Sequence, residues 1–512
     1  MDAHRFDIRI AADNRLLVDI RDFVIPLNKI TLLFGESGIG KSLIARSVYG
    51  LLDPEEFEIT INNQPYEQYL ESDETRTIRK KGFFVFQEPS SHLNPLLPLR
   101  TQLSEGSLSN APDNREVLTE LWKGTDETQI ERLLDVYPKP HRPSGGEKQR
   151  MFLAMALTKI DLALSTTQEN SHGYFVFDEP TGNLDNRSRD LFLSLLFSRF
   201  QKRRFTTLLI THDYSMISEV TRTHRRFIEH VSFRELRLHH GALSLKEFQP
   251  ETYLGWLDLQ RRERKANRSV ERSNPLICVE SDVEIFGRKL AISKDRAGTK
   301  PTPLEIFPGT MSYLKAPSGT GKTTLAKLMM GLIQDGRIRI DLQGESLTEK
   351  TPRSFWRERI WGKRIALAFQ HADEALNPRS SVAEVFHGLP SRTKVTVEDI
   401  RSVLGELFDE ELTDDFLGKK VANLSGGQKQ RVNLLRSLFL DTDVLILDEP
   451  LNGLDLETTT RVLAMVREKL RGGKGILIIS HNEEIFDAMI PEENVYYLID
   501  KDAIAAEKRT SW

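Results

Sequence analysis

Gly35-Glu36-Ser37-Gly38-Ile39-Gly40-Lys41-Ser42 is a complete G-x-x-x-x-G-K-[ST] segment. The β-branched and aromatic run Ile30-Thr31-Leu32-Leu33-Phe34 leads into it, and Leu43-Ile44-Ala45-Arg46-Ser47-Val48 continues from it with helical character. A glycine loop between a strand and a helix lets several backbone N–H groups approach phosphate oxygens where side chains would block them. In such a loop the lysine reaches the β- and γ-phosphates of a nucleotide, and the Ser or Thr hydroxyl ligates Mg²⁺.

The loop occurs twice. Ala316-Pro317-Ser318-Gly319-Thr320-Gly321-Lys322-Thr323 repeats it with alanine at the first glycine, a change that costs little if that position has a negative φ. Lys41 and Lys322 are 281 positions apart. So are Ser144 and Ser425, which open the matched runs Ser144-Gly145-Gly146-Glu147 and Ser425-Gly426-Gly427-Gln428. Tyr174-Phe175-Val176-Phe177-Asp178-Glu179-Pro180 then matches Leu445-Ile446-Leu447-Asp448-Glu449-Pro450 at an offset of 270. The first half therefore carries about 11 extra residues, and its polar stretch 165–173 is the natural place for them. This is a tandem duplication, expected as 1–245 and 276–512 joined by a linker at 246–275, with a short amphipathic helix at 254–260 and a basic, solvated run at 261–272. Residues 444–447 and 475–479 are buried-strand candidates of a mostly parallel sheet.

The Asp-Glu pairs supply the other half of a hydrolytic site. An aspartate at the strand end, Asp178 or Asp448, would hold Mg²⁺ through water, and the adjacent Glu179 or Glu449 would polarise the attacking water. His212 and His481 come 34 and 33 residues after their aspartates, each behind another β-rich run. The matched pair is expected to contact the γ-phosphate and stabilise transferred charge.

Composition narrows the rest. The 512 residues are 29% charged and 39% hydrophobic, with 71 Lys and Arg against 75 Asp and Glu. That balance argues against a binder dominated by basic charge. One cysteine, Cys278, rules out an internal disulfide framework and a cysteine-ligated zinc or iron–sulfur site. No apolar run approaches the roughly 20 residues of a membrane helix, and Met1-Asp2-Ala3-His4-Arg5-Phe6 lacks the apolar core of a secretion signal. A cytosolic protein is expected.

The full set resembles the ATP-binding cassette (ABC) ATPases, twice over, with Ser-Gly-Gly-Glu/Gln in the place of the family signature. The resemblance implies an α/β fold of tandem P-loop NTPase domains, each with a mostly parallel core sheet, an antiparallel β subdomain and a helical signature subdomain. It implies ATP and Mg²⁺ as cofactors and two cassettes in which the signature of one completes the site of the other. One site would join Lys41, Ser42, Gln87, Asp178, Glu179 and His212 to Ser425, Gly426, Gly427 and Gln428; the other would join Lys322, Thr323, Gln370, Asp448, Glu449 and His481 to Ser144, Gly145, Gly146 and Glu147. Ser42, Gln87 and Asp178, and likewise Thr323, Gln370 and Asp448, are the implied Mg²⁺ neighbours. Asp185 and Asp455 fall at the family's D-loop, and both glutamates are kept, so both sites should hydrolyse. Pro143 replaces the usual leucine before the first signature. The adenine-stacking aromatic is not obvious at residues 8–12; Phe286 is its candidate in the second half, against a core role.

Within that family, Gln87 and Gln370 each begin Q-x-x-x-x-x-L-N-P, ending at Leu93-Asn94-Pro95 and Leu376-Asn377-Pro378. This is similar to the Q-loop of the peptide/nickel importers, as are Tyr137-Pro138 and the run Arg150–Leu157 beside the first signature. The resemblance implies two membrane permease subunits and an external substrate-binding protein as partners, peripheral attachment to the inner face of the cell membrane, and no nucleic acid. The competing class is a soluble, non-transport ABC ATPase acting on ribosomes or nucleic acid. It has less support, because the charged linker is short and one cysteine cannot furnish the metal or cluster insertions of several such proteins.

Overall fold

The central strands are buried at every position in the computed structural model: Ile30–Phe34, Tyr174–Asp178 and Thr206–Ile210 in the first half, Met311–Lys315, Val444–Asp448 and Gly475–Ile479 in the second. Burial on both faces is what parallel strands covered by helices require. The structure describes the chain apart from residues 1–2, 14, 89–91, 95, 106–113, 123–129, 132–133, 135–144, 166–173, 183, 240–241, 267–273, 318, 391–394, 409–411 and 502–512. Ser144, Ser318, Pro143, Tyr137-Pro138, residues 267–272 of the basic run and nearly all of the expected insertion lie outside the described residues.

The chain divides into two units, Met1–Leu254 and Gly255–Trp512. In the first, the parallel strands run in the order Val231–His239, Ile30–Phe34, Thr206–Ile210, Tyr174–Asp178, Phe83–Val85, with Ala242–Glu247 antiparallel at the edge. In the second, Val495–Asp500, Met311–Lys315, Gly475–Ile479, Val444–Asp448 and Ile365–Ala368 repeat that order. Each unit adds antiparallel strands, led by the hairpin Ala3–Ala12/Arg15–Pro26 in one and Asp282–Ile285/Arg288–Ser293 in the other. The second hairpin joins the core sheet by pairing with Val495–Asp500, whereas the first belongs to a separate sheet. Helices beyond the glutamines, ending in Gly145–Ser165 and Gly426–Phe439, complete each unit. No helix among the described residues is long and apolar enough to cross a membrane.

The segment read as a linker is largely helical: Pro250–Ala266 starts at a proline, whose missing N–H is harmless in a first turn. In the first unit Tyr253 is fully buried and stacks on Tyr214 at 5.9 Å. In the second, Arg264 donates to the Asp487 carbonyl at 2.5 Å and Glu263 pairs with Arg467 at 2.8 Å. The basic run is therefore not simply a solvated face; Glu263 and Arg264 are packed, while Arg261, Arg262 and Lys265 are exposed.

The two phosphate loops differ at their first residue. Gly35 takes φ 145°, and a Cβ there would sit 2.7 Å from the Leu236 carbonyl oxygen. Ala316, its counterpart, is not among the positive-φ residues. Gly40 and Gly321 match closely, at φ 107° and 109°, as the caps of the helices that begin at Lys41 and Lys322. Gly35→Ala should therefore lower the melting temperature by the equivalent of roughly 1–3 kcal/mol. Ala316→Gly should cost less than about 1 kcal/mol, mainly through the unfolded chain. Thermal unfolding of both variants checks this; equal shifts would show that the loops share one backbone requirement.

Candidate nucleotide-hydrolysis sites

In both units the lysine folds back over its own loop. Lys41 Nζ donates to the Gly35 and Glu36 carbonyls at 2.7 and 2.8 Å, and Lys322 Nζ to those of Ala316 and Pro317 at 2.6 and 3.4 Å. Both lysines are buried, and the carbonyls offset the cost of burying the ammonium groups. Ile39, Thr320 and the glycines lie in the turn between strand and helix, among the described residues.

The aspartates end their strands where expected. Asp178 is fully buried; its Oδ1 accepts from Ser42 Oγ at 2.9 Å, and Arg46 Nη2 lies 3.9 Å from Oδ2. Asp448 is similarly buried. Burial pushes the Asp178 carboxyl up to about 6, against the opposing hydrogen bond from Ser42, and pushes that of Asp448 up as well. One oxygen of each, Asp178 Oδ2 and Asp448 Oδ1, has no hydrogen-bond partner among the described residues. A buried carboxylate oxygen without a hydrogen bond, beside a Ser or Thr hydroxyl, fits a hard divalent cation, and the donor set suits Mg²⁺. The glutamines do not behave alike. Gln370 Oε1 accepts from Thr323 Oγ1 at 3.3 Å, next to the expected Mg²⁺ neighbours, whereas Gln87 turns its amide to Glu179 Oε2 at 2.9 Å.

The glutamates share a backbone state and differ in their partners. Both have positive φ, 46° at Glu179 and 51° at Glu449, uncommon for a residue with a side chain. His212 Nδ1 stands 3.2 Å from Glu179 Oε1. Burial alone would raise the Glu179 carboxyl, but His212, Lys41 and Gln87 outweigh it and hold it below the usual range. Glu449 Oε2 instead accepts from Ser480 Oγ at 2.9 Å and from the His481 backbone N–H at 3.0 Å, while the His481 ring stays 3.5 Å from Oε1 and 46% exposed. Burial, only partly offset by those hydrogen bonds, pushes the Glu449 carboxyl up to about 7. Ser480 is a contact that motif reading misses; its signal is a hydroxyl residue directly before each histidine, Thr211 and Ser480.

Other expected residues take local duties. Asp185 and Asp455 cap the helices Asn186–Lys202 and Leu456–Arg471, accepting from Ser188 and Thr458 N–H at 2.7 Å each. Ser425 and Gln428 form a reciprocal capping box, with Gly426 and Gly427 opening the helix Gly426–Phe439. Gly145, Gly146 and Glu147 begin the first unit's helix. Phe286 is not a core residue: it is 58% exposed at φ 48°, and with Gly287 at φ 75° it forms the two-residue turn of the hairpin Asp282–Ile285/Arg288–Ser293. From that hairpin Arg288 donates to the Gly319 carbonyl of the phosphate loop at 3.4 Å.

The contrast between the glutamates has a measurable consequence. A carboxyl whose folded pKa lies above its unfolded value binds more protons in the native state, so stability falls as pH rises through that window. For Glu449 the window runs from 4.5 to about 7. Glu449→Gln should therefore raise the melting temperature of the nucleotide- and metal-free protein at pH 8, by the equivalent of about 1–3 kcal/mol, with the gain vanishing toward pH 4. Glu179→Gln removes a carboxylate held low and should instead destabilise at pH 8. Scanning calorimetry at several pH values decides, and the same sign for both variants would contradict the assignment.

The family model described as ABC transporter matches residues 18–164 and 299–452, more than half of the chain. Among curated relatives, an uncharacterized ABC transporter ATP-binding protein, YejF, of Escherichia coli (strain K12) is 28% identical over 93% of this chain and 89% of its own. The glutathione import ATP-binding protein GsiA of the same strain is 21% identical over 96% and 84%. Among solved structures, an RNase-L inhibitor shares the fold at TM-score 0.60 and 18% identity, covering 98% of this chain and 92% of that one. An archaeal ribosome recycling factor, aABCE1, solved with the ribosomal stalk protein aP1, does so at 0.60 and 18%, covering 99% and 92%. With two matched copies of the domain and its phosphate loops, strand-end Asp-Glu pairs and histidines in place, the chain belongs to the ABC transporter family as a tandem ATP-binding, ATP-hydrolysing member.

Proposed function

We propose that the chain is the energy-coupling ATPase of an ABC importer for peptides, nickel or related small solutes, working with two membrane permease subunits and an external binding protein. The observation that carries this reading is the repeated geometry behind the two glutamines. In both units the leucine of L-N-P is buried, and the asparagine side chain accepts from the N–H two residues on: Asn94 from Leu96 at 2.9 Å, Asn377 from Arg379 at 3.0 Å. This Asx turn anchors the loop; Leu96, 72% exposed, is the apolar side chain it presents in the first unit. The names of the relatives, among them a glutathione importer subunit, support the same direction. The likeness to the RNase-L inhibitor and the ribosome recycling factor rests at 18% identity and supports the fold alone.

In the proposed mechanism the glycine loops and Lys41 or Lys322 hold the ATP phosphates by backbone N–H groups and ammonium charge. Ser42 with Asp178, and Thr323 with Asp448 and Gln370, would hold Mg²⁺, which supplies charge neutralisation at the β- and γ-oxygens. Glu179 and Glu449 orient and polarise the attacking water, and His212 and His481 stabilise the γ-phosphoryl charge. The signature runs at 144–147 and 425–428 are proposed to complete these sites in the composite manner expected of the family.

The double variant Glu179→Gln/Glu449→Gln should keep ATP bound while hydrolysis falls by at least about 100-fold. Used as bait in an affinity pull-down from detergent-solubilised native cells, read by mass spectrometry, it should recover a pair of polytopic permease proteins. Ribosomal proteins or nucleic acid recovered without a permease would overturn the transport reading.

A further inference from the structure

His212 is flanked by two residues whose backbone and side chains are locked. Thr211 N–H donates to the Leu33 carbonyl at 3.0 Å, which ties the loop to the strand entering the phosphate loop. Asp213 N–H donates to Thr211 Oγ1 at 3.0 Å. Asp213 itself spends both carboxylate oxygens: Oδ1 accepts from the Ser215 N–H at 3.0 Å and from its hydroxyl, and Oδ2 accepts from Arg189 Nη1 at 2.9 Å. Arg189 is buried and lies in the first turn of Asn186–Lys202, the helix capped by Asp185. Its guanidinium also donates to Asp190 Oδ1, from Nε at 2.9 Å and Nη2 at 2.7 Å, and to Asn186 Oδ1 at 3.2 Å.

A buried guanidinium needs this many acceptors to offset its desolvation, and replacing the pair by apolar groups is often neutral for stability. Its geometry does something a hydrophobic residue would not. The Nε and Nη2 fork grips Asp190 and fixes the guanidinium plane, which aims the single Nη1 bond at Asp213 Oδ2; Asp213 adjoins His212, whose ring faces Glu179. The second unit lacks the device. At the offsets that align Asp185 with Asp455 and His212 with His481, Thr459 and Asn482 stand in place of Arg189 and Asp213, and neither carries charge. There His481 is 46% exposed and its ring stands farther from the glutamate, at 3.5 Å against 3.2 Å.

We propose that Arg189, through Asp213, is the positioning residue that sets His212 against Glu179, and that this preorganisation belongs to the first unit alone. The proposal rests on the reading of His212 as a γ-phosphate contact. Arg189 touches neither the glutamate nor the phosphate loop, so its effect should appear in kcat and not in nucleotide binding.

The test is a double-variant cycle in the full chain carrying Glu449→Gln, so that turnover reports the first site, with ATPase kinetics, equilibrium binding of a non-hydrolysable ATP analogue and melting temperature read together. Arg189→Met should lower kcat by roughly 10- to 100-fold, the scale of a displaced catalytic group, while analogue affinity stays within about threefold and Arg189→Lys restores part of the rate. Combined with His212→Ala, which lowers kcat itself, Arg189→Met should add no further loss, because both changes remove the same action. Losses that multiply, or an Arg189→Met enzyme with unaltered kcat, would overturn the proposal. If Arg189→Met does not fold, Asp213→Asn serves instead, with the same non-additivity expected. Hydrolysis by His212→Ala equal to that of the Glu449→Gln parent would refute the reading of His212, and the proposal with it; a dead His212→Ala beside a fully active Arg189→Met would refute the proposal alone.

Discussion

The site depends on one backbone hydrogen bond made beyond the end of a strand. Glu179 N–H donates to the Ile210 carbonyl at 3.0 Å and Glu449 N–H to that of Ile479 at 2.8 Å, each one residue past the regular parallel register. Extending the ladder by that single bond while the chain turns away forces a positive φ on the glutamate, a strained state that persists only where its surroundings over-determine it. Here they do. The donor and acceptor strands are buried throughout, and the histidine that meets the glutamate lies two residues beyond the acceptor strand. Strand-end aspartate, displaced glutamate and histidine are brought together by sheet register, without any loop having to find them.

On that shared skeleton the halves have diverged in what supports it. Phe34, the residue before the first phosphate loop, stacks on Tyr214 at 4.8 Å and packs against Phe248 at 5.7 Å. Its counterpart is Lys315, buried and ion-paired to Glu483 at 3.2 Å and Asp487 at 2.7 Å on the helix beyond His481. An aromatic stack is insensitive to salt and charge state, whereas a buried lysine demands both its acids. The unit with aromatic support behind its loop thus has its ion pair at the residue after the histidine, Asp213 with Arg189, whereas in the other unit the lysine behind the loop is itself paired to the helix that follows the histidine. Such exchange is open to duplicated domains, because only the inner geometry is held in common.

Legible in the sequence is whatever spacing alone determines. Lys41, Lys322, the Asp-Glu pairs and the histidines are set by strand ends and loop closure, and they lie where motif reading puts them. Side chains that arrive from elsewhere in the chain are not legible: Arg189 reaches Asp213 across 24 positions, and Lys315 reaches Asp487 across 172. Nor does the sequence show that Gln87 faces Glu179 while Gln370 faces Thr323, since two identical motifs carry no record of orientation. Phe286 reads as an equal candidate for the core because aromatic residues are usually buried; its neighbour Gly287 is the clue to the tight turn it occupies instead.

The oxygens of Asp178 and Asp448 that lack hydrogen bonds among the described residues show how binding and stability are joined in this fold. Each sits in a place that raises its pKa, so without a ligand the protein carries an unfavourable buried charge at neutral pH. The loop lysines lower these carboxyls by their charge but not enough to offset burial, and their N–H donors go to their own loop carbonyls. A cation and the phosphates it accompanies would meet both requirements at once, supplying positive charge to the aspartates and acceptors to the lysines. Anything that binds only the native state adds to its stability by mass action, and here the gain includes relief of a cost that folding alone leaves in place. Part of the affinity for nucleotide is therefore built into the way the protein folds without it.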